Sequence, residues 1–368
     1  MVQKRIPVMP VRRILITSPS LNVKENVSGI SSLVADILNY SQFKFLHLQL
    51  GSKDGFKKNL AWAGSQLSAF IKVFLTSIFR KYEIVHLNVG LEKNSIIRDS
   101  MVFFIVKGIF NKKVILHVHG GFFLMNEAKS RMLNFMLKKI FNKAEAVIVL
   151  SNLEKGILEK RYGNLSFHVF PNAVDIASIK NMNTRVSSEK VRFIFIGRII
   201  KTKGIYTISE SMKYLSKYFD RFSLSIFGNG PEVDEWIASL NKIEGLDYTY
   251  NGVVGGSDKW KALYGADVFL LPALHSEGMP IAMLEAMAAA CVVVVTDVAS
   301  IKTVIKDYSN GILLSESSPE QLASVMEKLI LGKADKELIG QNAMQYVQNN
   351  LSLPNYIHKL EDLYISIS

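Results

Sequence analysis

The chain has 368 residues, 49% of them hydrophobic and 21% charged, with 23 glycines and 9 prolines. That composition fits a globular protein long enough for two separately cored domains and excludes a disordered, fibrous or collagen-like chain. The net charge is +12, and it is uneven: residues 1–180 hold 26 Lys and Arg against 11 Asp and Glu, giving +15, whereas residues 181–368 hold 18 against 21, giving −3.

A basic first half suits an anionic partner such as nucleic acid, lipid headgroups or a phosphorylated substrate, although a basic surface can also serve solubility alone. The single cysteine, Cys291 in AAACVVVVTD, rules out an internal disulfide and reads as a small core residue. No apolar run reaches the ~18 residues of a spanning helix, since MVFFIVKGIF at 101–110 is interrupted by Lys107. RILIT near the N-terminus is too short for a secretory signal. The expectation is a soluble or peripheral protein of the cytoplasm.

In chain order, short apolar runs alternate with helical patterns. Strands are expected at 12–18, 45–50, 83–89, 113–120 and 144–151, with a short strand and turn at 167–175. Helices are expected near 29–40, 65–82, 96–110 and 128–142. Residues 176–190 are polar and lack a period, and read as a linker. The alternation restarts with strands at 191–198, 222–230, 248–254, 267–273, 291–297 and 311–315, each followed by a helix. Repeated strand–helix units predict mostly parallel, doubly wound α/β sheets, whose strand C-terminal ends open onto a ligand crevice.

Four strand-end stretches of the second half could carry chemistry. IGRIIKTKG holds Gly197, Arg198, Lys203 and Gly204; a planar guanidinium fork and an ammonium point charge can together neutralise a diphosphate. FGNGPE, with Gly228, and YNGVV, with Gly252 and Val253, read alone as ordinary turns. In SEGMPIAMLEAM, Glu277 falls in a loop and Glu285 on a helix, with Gly278, Met279 and Pro280 forming the turn between. A helix N-terminus there would attract anionic oxygens, and a carboxylate beyond it could take paired hydrogen bonds from vicinal hydroxyls. Spacing alone favours two unrelated glutamates, one exposed on a helix and one in a loop. In the first half, LHVHGG places His119 at a strand end before two glycines that open the backbone.

GR-x4-KG followed by E-G-M-P-x4-E-A-M-A resembles the retaining glycosyltransferases of family 4, which have the GT-B fold: two Rossmann-like, doubly wound parallel-sheet domains facing across a cleft. AEAVIVLS…FPNAVD looks like the end of the family's first domain, and NGVV and VIKDYSNGILL match its later segments in order. The implied division is an acceptor-binding domain at 1–176, a linker at 177–190, a nucleotide-sugar domain at 191–350, and a final helix at 351–368 returning to the first domain. The resemblance implies that Arg198 and Lys203 bind the donor diphosphate, Glu285 the ribose, and Glu277 with Gly278, Met279 and Pro280 the sugar. Gly197, Gly228, Gly252, Val253 and Gly29 would border the donor, and His119 would stand near the reacting sugar. Two departures stand out: Ser28-Gly29 where the family often has two glycines, and VASIKTVI, with Ala299, Ser300, Lys302 and Thr303, where it often has Gly-Gly-x-Pro-Glu.

The implied reaction is transfer of a sugar from a UDP- or GDP-linked donor with retention of configuration. No Asp-x-Asp pair occurs, so no metal and no other cofactor is expected. The HLN…SIIRDS and LHVHGG stretches resemble bacterial transferases that build surface polysaccharides such as O-antigen in lipopolysaccharide, capsule or exopolysaccharide, which implies a lipid-diphosphate-linked glycan acceptor. KDGFKK at 53–58 and the helix at 65–82, ending Arg80-Lys81-Tyr82, could lie on an anionic membrane face or form an ordinary core helix. Two other classes remain open. A sugar-nucleotide epimerase would share the fold but need no acceptor. A nucleic-acid-binding protein would explain the charge, but no aromatic-basic module is present and the second half is acidic, so nucleic acid is not expected.

Overall fold

A computed structural model of the protein describes residues 13–22, 25–26, 28–51, 60–176, 188–274 and 277–368. The N-terminal segment, the KDGFKK stretch with Lys57 and Lys58, and most of the expected linker lie outside the described residues.

The first sheet contains β1 (Arg13–Ser18), β2 (Lys44–Gln49), β3 (Ile84–Val89), β4 (Lys113–Val118), β5 (Ala146–Val149) and β6 (Phe167–Val169), all parallel, in the order β2-β1-β3-β4-β5-β6. Its helices are α1 (Gly29–Tyr40), α2 (Leu60–Phe79), α3 (Lys93–Phe103), α4 (Phe122–Met125), α5 (Arg131–Lys143) and α6 (Asn152–Tyr162). The second sheet contains β7 (Val191–Ile196), β8 (Phe222–Phe227), β9 (Tyr248–Tyr250), β10 (Val268–Leu271), β11 (Val292–Thr296) and β12 (Ile312–Leu314), again all parallel, in the order β12-β11-β10-β7-β8-β9. Around it lie α7 (Ile205–Lys213), α8 (Val233–Asn241), α9 (Gly256–Tyr264), α10 (Ile281–Ala288), α11 (Pro319–Ile330) and α12 (Lys336–Asn350). The chain ends in α13 (Leu353–Ile367).

Parallel strands covered on both faces must be apolar on both, which explains runs such as Val292–Val295, buried throughout. The first sheet divides its core in two. Leu87, Val89, Leu116 and Val118 face α2, α3 and α5. Ile14, Ile16, Ile84 and Ile115 face α1 and α13, whose Tyr356, Ile357, Leu360 and Tyr364 form a stripe at helical spacing. The last helix therefore packs on the first sheet although the strands preceding it belong to the second.

Several elements differ from the sequence expectation, each for a local reason. The expected helix at 96–110 ends as α3 at Phe103 and continues as a π-helical turn, Phe104–Ile109, in which Lys107 pairs with Glu145 at the start of β5. The helix expected from 128 starts at Arg131 because the Ser130 hydroxyl caps it by accepting from Leu133 N–H. The helix expected after β11 shrinks to one 3₁₀ turn, Ile301–Thr303, just beyond Ala299 in the left-handed region at φ +43°. Helix α6 is absent from the sequence expectation, yet Ser151-x-x-Glu154 is a capping-box signature, and Ser151 Oγ does accept from Glu154 N–H at 3.2 Å.

Candidate active site

In the second sheet the strand order reverses between β7 and β10, and open α/β sheets bind ligands outside the strand ends at such a point. The loops leaving these two strands hold the candidate residues and are joined to each other. After Gly197 and the half-buried Arg198, a 3₁₀ turn over Lys201–Lys203 ends at Gly204, φ +76°. A Cβ on Gly204 would fall 1.8 Å from the Pro272 carbonyl oxygen, so only glycine lets this turn press against the end of β10. Leu274 N–H donates to the Thr202 carbonyl at 2.9 Å, and Lys203 Nζ donates to Glu277 Oε2 at 2.6 Å.

Strand ends β7, β8 and β9 form the neighbouring floor. Gly197 N–H donates to the Phe227 carbonyl at 3.1 Å, and Gly228 N–H to the Gly252 carbonyl at 2.7 Å. Val253, half-buried, follows directly.

Beyond Glu277, the chain turns through Gly278 and the buried Met279 into α10. Pro280 occupies the cap position, one residue before the first helical turn. Helix α10 is apolar around almost its whole circumference and almost fully buried. Its one charged residue is Glu285, only 7% exposed. Glu285 Oε1 accepts from Lys259 Nζ of α9 at 2.5 Å. Asp36 of α1 lies close enough to feel both charges. Burial first, then the Glu285 and Asp175 carboxylates, push its pKa up to about 7, against the opposing pull of Lys259.

The first domain meets this loop directly. Gly120, at φ +82°, approaches so closely that a Cβ there would sit 2.7 Å from the Gly278 nitrogen. Asn172 Nδ2 donates to the Met279 carbonyl at 2.7 Å, and Gly29, the first residue of α1, lies beside Ile281 at the start of α10. A third contact is polar and fully buried: Ser300 Oγ donates to Glu154 Oε1 at 2.5 Å and lies 2.8 Å from Ser151 Oγ. Burial raises the Glu154 pKa, opposed by hydrogen bonds from Ser300 and the Leu150 amide. The small residue at 300, in the stretch that departs from the family pattern, thus accommodates a glutamate from the other domain.

His119 follows β4 beside this junction. Strand alternation places His86 and Asn88 of β3 on the same face as His117 of β4 and its neighbour His119. His119 Nε2 is 2.6 Å from Asn88 Oδ1, and its ring lies 4.0 Å from that of His117. His117 Nδ1 is 3.1 Å from His86 Nε2, and His86 Nδ1 is 2.6 Å from the Tyr364 hydroxyl of α13. Burial lowers the pKa of all three imidazoles: to about 3 for His86 and His119, and well below the usual value for His117.

The sequence-derived residues therefore fall into three adjoining groups. Lys203, Glu277 and Gly278 meet His119 and Gly120. Gly197, Gly228, Gly252 and Val253 form the floor beside Arg198. Glu285, Met279 and Pro280 lie with Gly29 along α10. Missed from sequence were Lys259, Asp36, Asn88, His86 and His117. The two histidines and Asn88 had a signal, the H-x-N and H-x-H alternation of two neighbouring strands. Among the described residues, no three His, Cys, Asp or Glu side chains are grouped so as to hold a metal ion.

The family described as "Glycosyl transferases group 1" matches residues 179–346. An uncharacterised glycosyltransferase of Methanocaldococcus jannaschii is 25% identical over 233 residues, 60% of this chain and 58% of that protein. The capsular polysaccharide biosynthesis glycosyltransferase CapM of Staphylococcus aureus is 27% identical over 177 residues, 46% of this chain and 44% of that protein. The chain thus spans about half the length of these relatives. The structure of Anabaena HepE in complex with UDP-glucose superposes with a TM-score of 0.76 over 96% of this chain and 99% of that one, at 16% identity. The two parallel sheets form a GT-B scaffold of two Rossmann-like domains, and residues 179–346 are similar to the glycosyl transferases group 1.

Proposed function

We propose that the protein transfers a sugar from a nucleotide diphosphate sugar, UDP- or GDP-linked, to a lipid-diphosphate-linked glycan in the biosynthesis of a bacterial surface polysaccharide such as capsule or O-antigen. The observation that carries this reading is the Lys203–Glu277 pair at the switch point, under the first turn of α10 and against Gly120 of the other domain. A cation, a helix N-terminus and a carboxylate within one crevice suit a diphosphate joined to a polyol. The name of CapM and the UDP-glucose bound to HepE are consistent with that substrate class.

In the proposed reaction, Arg198, Lys203 and the amides opening α10 stabilise the negative charge that grows on the departing diphosphate. Glu277 orients the sugar, and Glu285 takes the ribose hydroxyls once Lys259 yields. The acceptor oxygen bonds to the anomeric carbon on the face from which the diphosphate leaves. The leaving oxygen takes the bond's electron pair and then the acceptor's proton, so configuration is retained. No metal is required in this scheme, because the two basic side chains neutralise the diphosphate. His119 stays neutral at physiological pH and is not a proton donor in it.

The acceptor would be met at an anionic membrane surface on the cytoplasmic side, where the protein binds peripherally. Ile71, Ile78 and Phe79 of α2 and Phe135 of α5 are each at least half exposed, beside Arg80, Lys81, Lys138 and Lys139. Helix α2 buries Val73 in the core while its other face is open. No helix of the described residues is long and apolar enough to cross a membrane.

A panel of UDP-, GDP- and ADP-sugars with a lipid-linked acceptor extract tests the reaction, with product mass and anomer read with and without EDTA. Acceptor-dependent product of retained configuration, unaffected by EDTA, is expected. An inverted product or conversion of the donor without acceptor, the epimerase outcome, overturns it. For the membrane, Phe79→Ser with Phe135→Ser should weaken sedimentation with phosphatidylglycerol vesicles; unchanged binding rejects this face.

A further inference from the structure

We propose that Asn88 is a positioning residue that fixes the neutral imidazole of His119 in the tautomer protonated on Nε2, so that His119 meets its ligand with Nδ1 as a hydrogen-bond acceptor. The tautomer follows from geometry alone, whereas its consequence for turnover rests on the proposed transfer reaction.

Asn88 lies on β3 beside β1, where the order of the first sheet reverses. Its side-chain nitrogen is 2.6 Å from the Thr17 carbonyl oxygen. A main-chain carbonyl can only accept, so the amide nitrogen must be the atom facing it. The backbone N–H of Asn88 donates to Thr17 Oγ1 at 3.1 Å, which ties the same two residues together a second time. With the nitrogen committed, the amide oxygen is turned toward His119, 2.6 Å from Nε2. An amide oxygen also only accepts, so Nε2 must carry a proton.

The remaining question is whether Nδ1 carries one too. The groups packed around His119 offer no anion to hold it. His117 lies against the ring at a tilt, His86 lies behind His117, and Tyr364 of α13 bonds to His86. Across the junction, the carboxylate of Glu277 is taken by Lys203. The surroundings are buried and neutral, which disfavours an imidazolium. Nδ1 is then a bare lone pair, and no described residue donates to it. A lone pair repels phosphate oxygens and accepts from O–H, so the group His119 receives is a hydroxyl of a sugar rather than the diphosphate.

The test uses the full-length protein labelled with nitrogen-15 and a long-range proton–nitrogen spectrum of the histidine rings. His119 is identified by the peaks lost in His119→Gln. One protonated Nε2 and one unprotonated Nδ1, unchanged between pH 8 and pH 6, are expected. A proton on Nδ1 at pH 7, alone or with one on Nε2, overturns the proposal. In Asn88→Asp the acceptor becomes a carboxylate that favours the doubly protonated ring, so His119 should now take up a proton as pH falls from 8 to 6. A residue that only packed the sheet would leave the ring's protonation unchanged, and that result also rejects the proposal. Should this variant not fold, the wild-type spectrum still decides. In the transfer assay, Asn88→Asp should lose tenfold or more between pH 8 and pH 6 relative to wild type. If the spectra agree with this tautomer while no transfer is found, the reaction fails and the tautomer stands.

Discussion

The two domains wind the same kind of parallel sheet but finish it differently. The second is closed on both faces into one continuous apolar core, from Phe193 and Trp236 to Val294 and Met326, and among its described residues the one buried charged side chain is Glu285 on α10. The first splits its core across the sheet, places a chain of polar rings inside one half, and leaves apolar side chains open on the helices of the other. On the proposed function, the difference separates two tasks. A site that holds a diphosphate needs charges fixed on a rigid frame, so that little reorganisation remains when charge develops. A domain that meets a large acceptor at a surface can expose apolar area, provided that what faces the donor is neutral and aimed.

The strongest way to break this comparison is to remove charge from the second domain alone. Lys203→Ala should reduce turnover about 10²- to 10³-fold, the usual loss for one group stabilising a developing anion, ~3–4 kcal/mol. Its 3₁₀ turn and Gly204 remain, so thermal stability should hardly change. Turnover within threefold of wild type would show that the switch-point pair is structural. Glu285→Ala should act on binding instead, raising the Kd for UDP about tenfold through loss of charge-assisted hydrogen bonds, with less effect on turnover of bound donor.

That asymmetry also governs what was legible in the sequence. The parallel two-sheet fold could be read because continuous β-branched runs such as Val292–Val295 recur between helical patterns. Lys203, Glu277 and Glu285 could be read because a local motif carries them. Lys259 could not, since nothing in the sequence near it says that α9 delivers its ammonium to Glu285 on α10. Asp36 was hidden for the same reason, being 249 residues from the glutamate that perturbs it. His86, Asn88 and His117 were visible as a period-two pattern, but which face that pattern addresses depends on α13 packing on the first sheet. Helix α6 was missed although its capping signature is plain, and the π-helical turn after α3 has no such signature at all.

A smaller effect sharpens the contrast through pH. His86 and His117 are fully buried and neutral in the folded state, with pKa values far below the unfolded value near 6.5. The unfolded chain therefore binds more protons below that value, and stability present at pH 7 is lost as pH falls. Each fully buried histidine should cost about 2 kcal/mol between pH 7 and pH 5. The first domain should unfold first on acidification, and His117→Phe should remove about a third of its extra acid sensitivity, because His86 and His119 remain. Calorimetric scans at several pH values would reveal this as one transition shifting more than the other. If both transitions shift together, the buried rings do not set acid stability.

The smallest expected effect lies where the domains touch. Asp36 has the opposite sign from the histidines: its pKa is raised to about 7, so it is largely protonated just below neutrality and ionises as pH rises. Once ionised, it adds negative charge beside Glu285 and holds Lys259 more firmly there, which opposes an incoming nucleotide diphosphate. The affinity for UDP should therefore fall about three- to fivefold between pH 6.5 and pH 8, an effect of ~1 kcal/mol or less at a partly solvated site. Asp36→Asn should abolish this part of the pH dependence while keeping the affinity measured at pH 6.5. Titration of the UDP phosphate is common to both proteins, so the difference between their profiles isolates Asp36. Identical profiles would mean that the first domain contributes no charge to the donor site, and that the division of labour between the two sheets is complete.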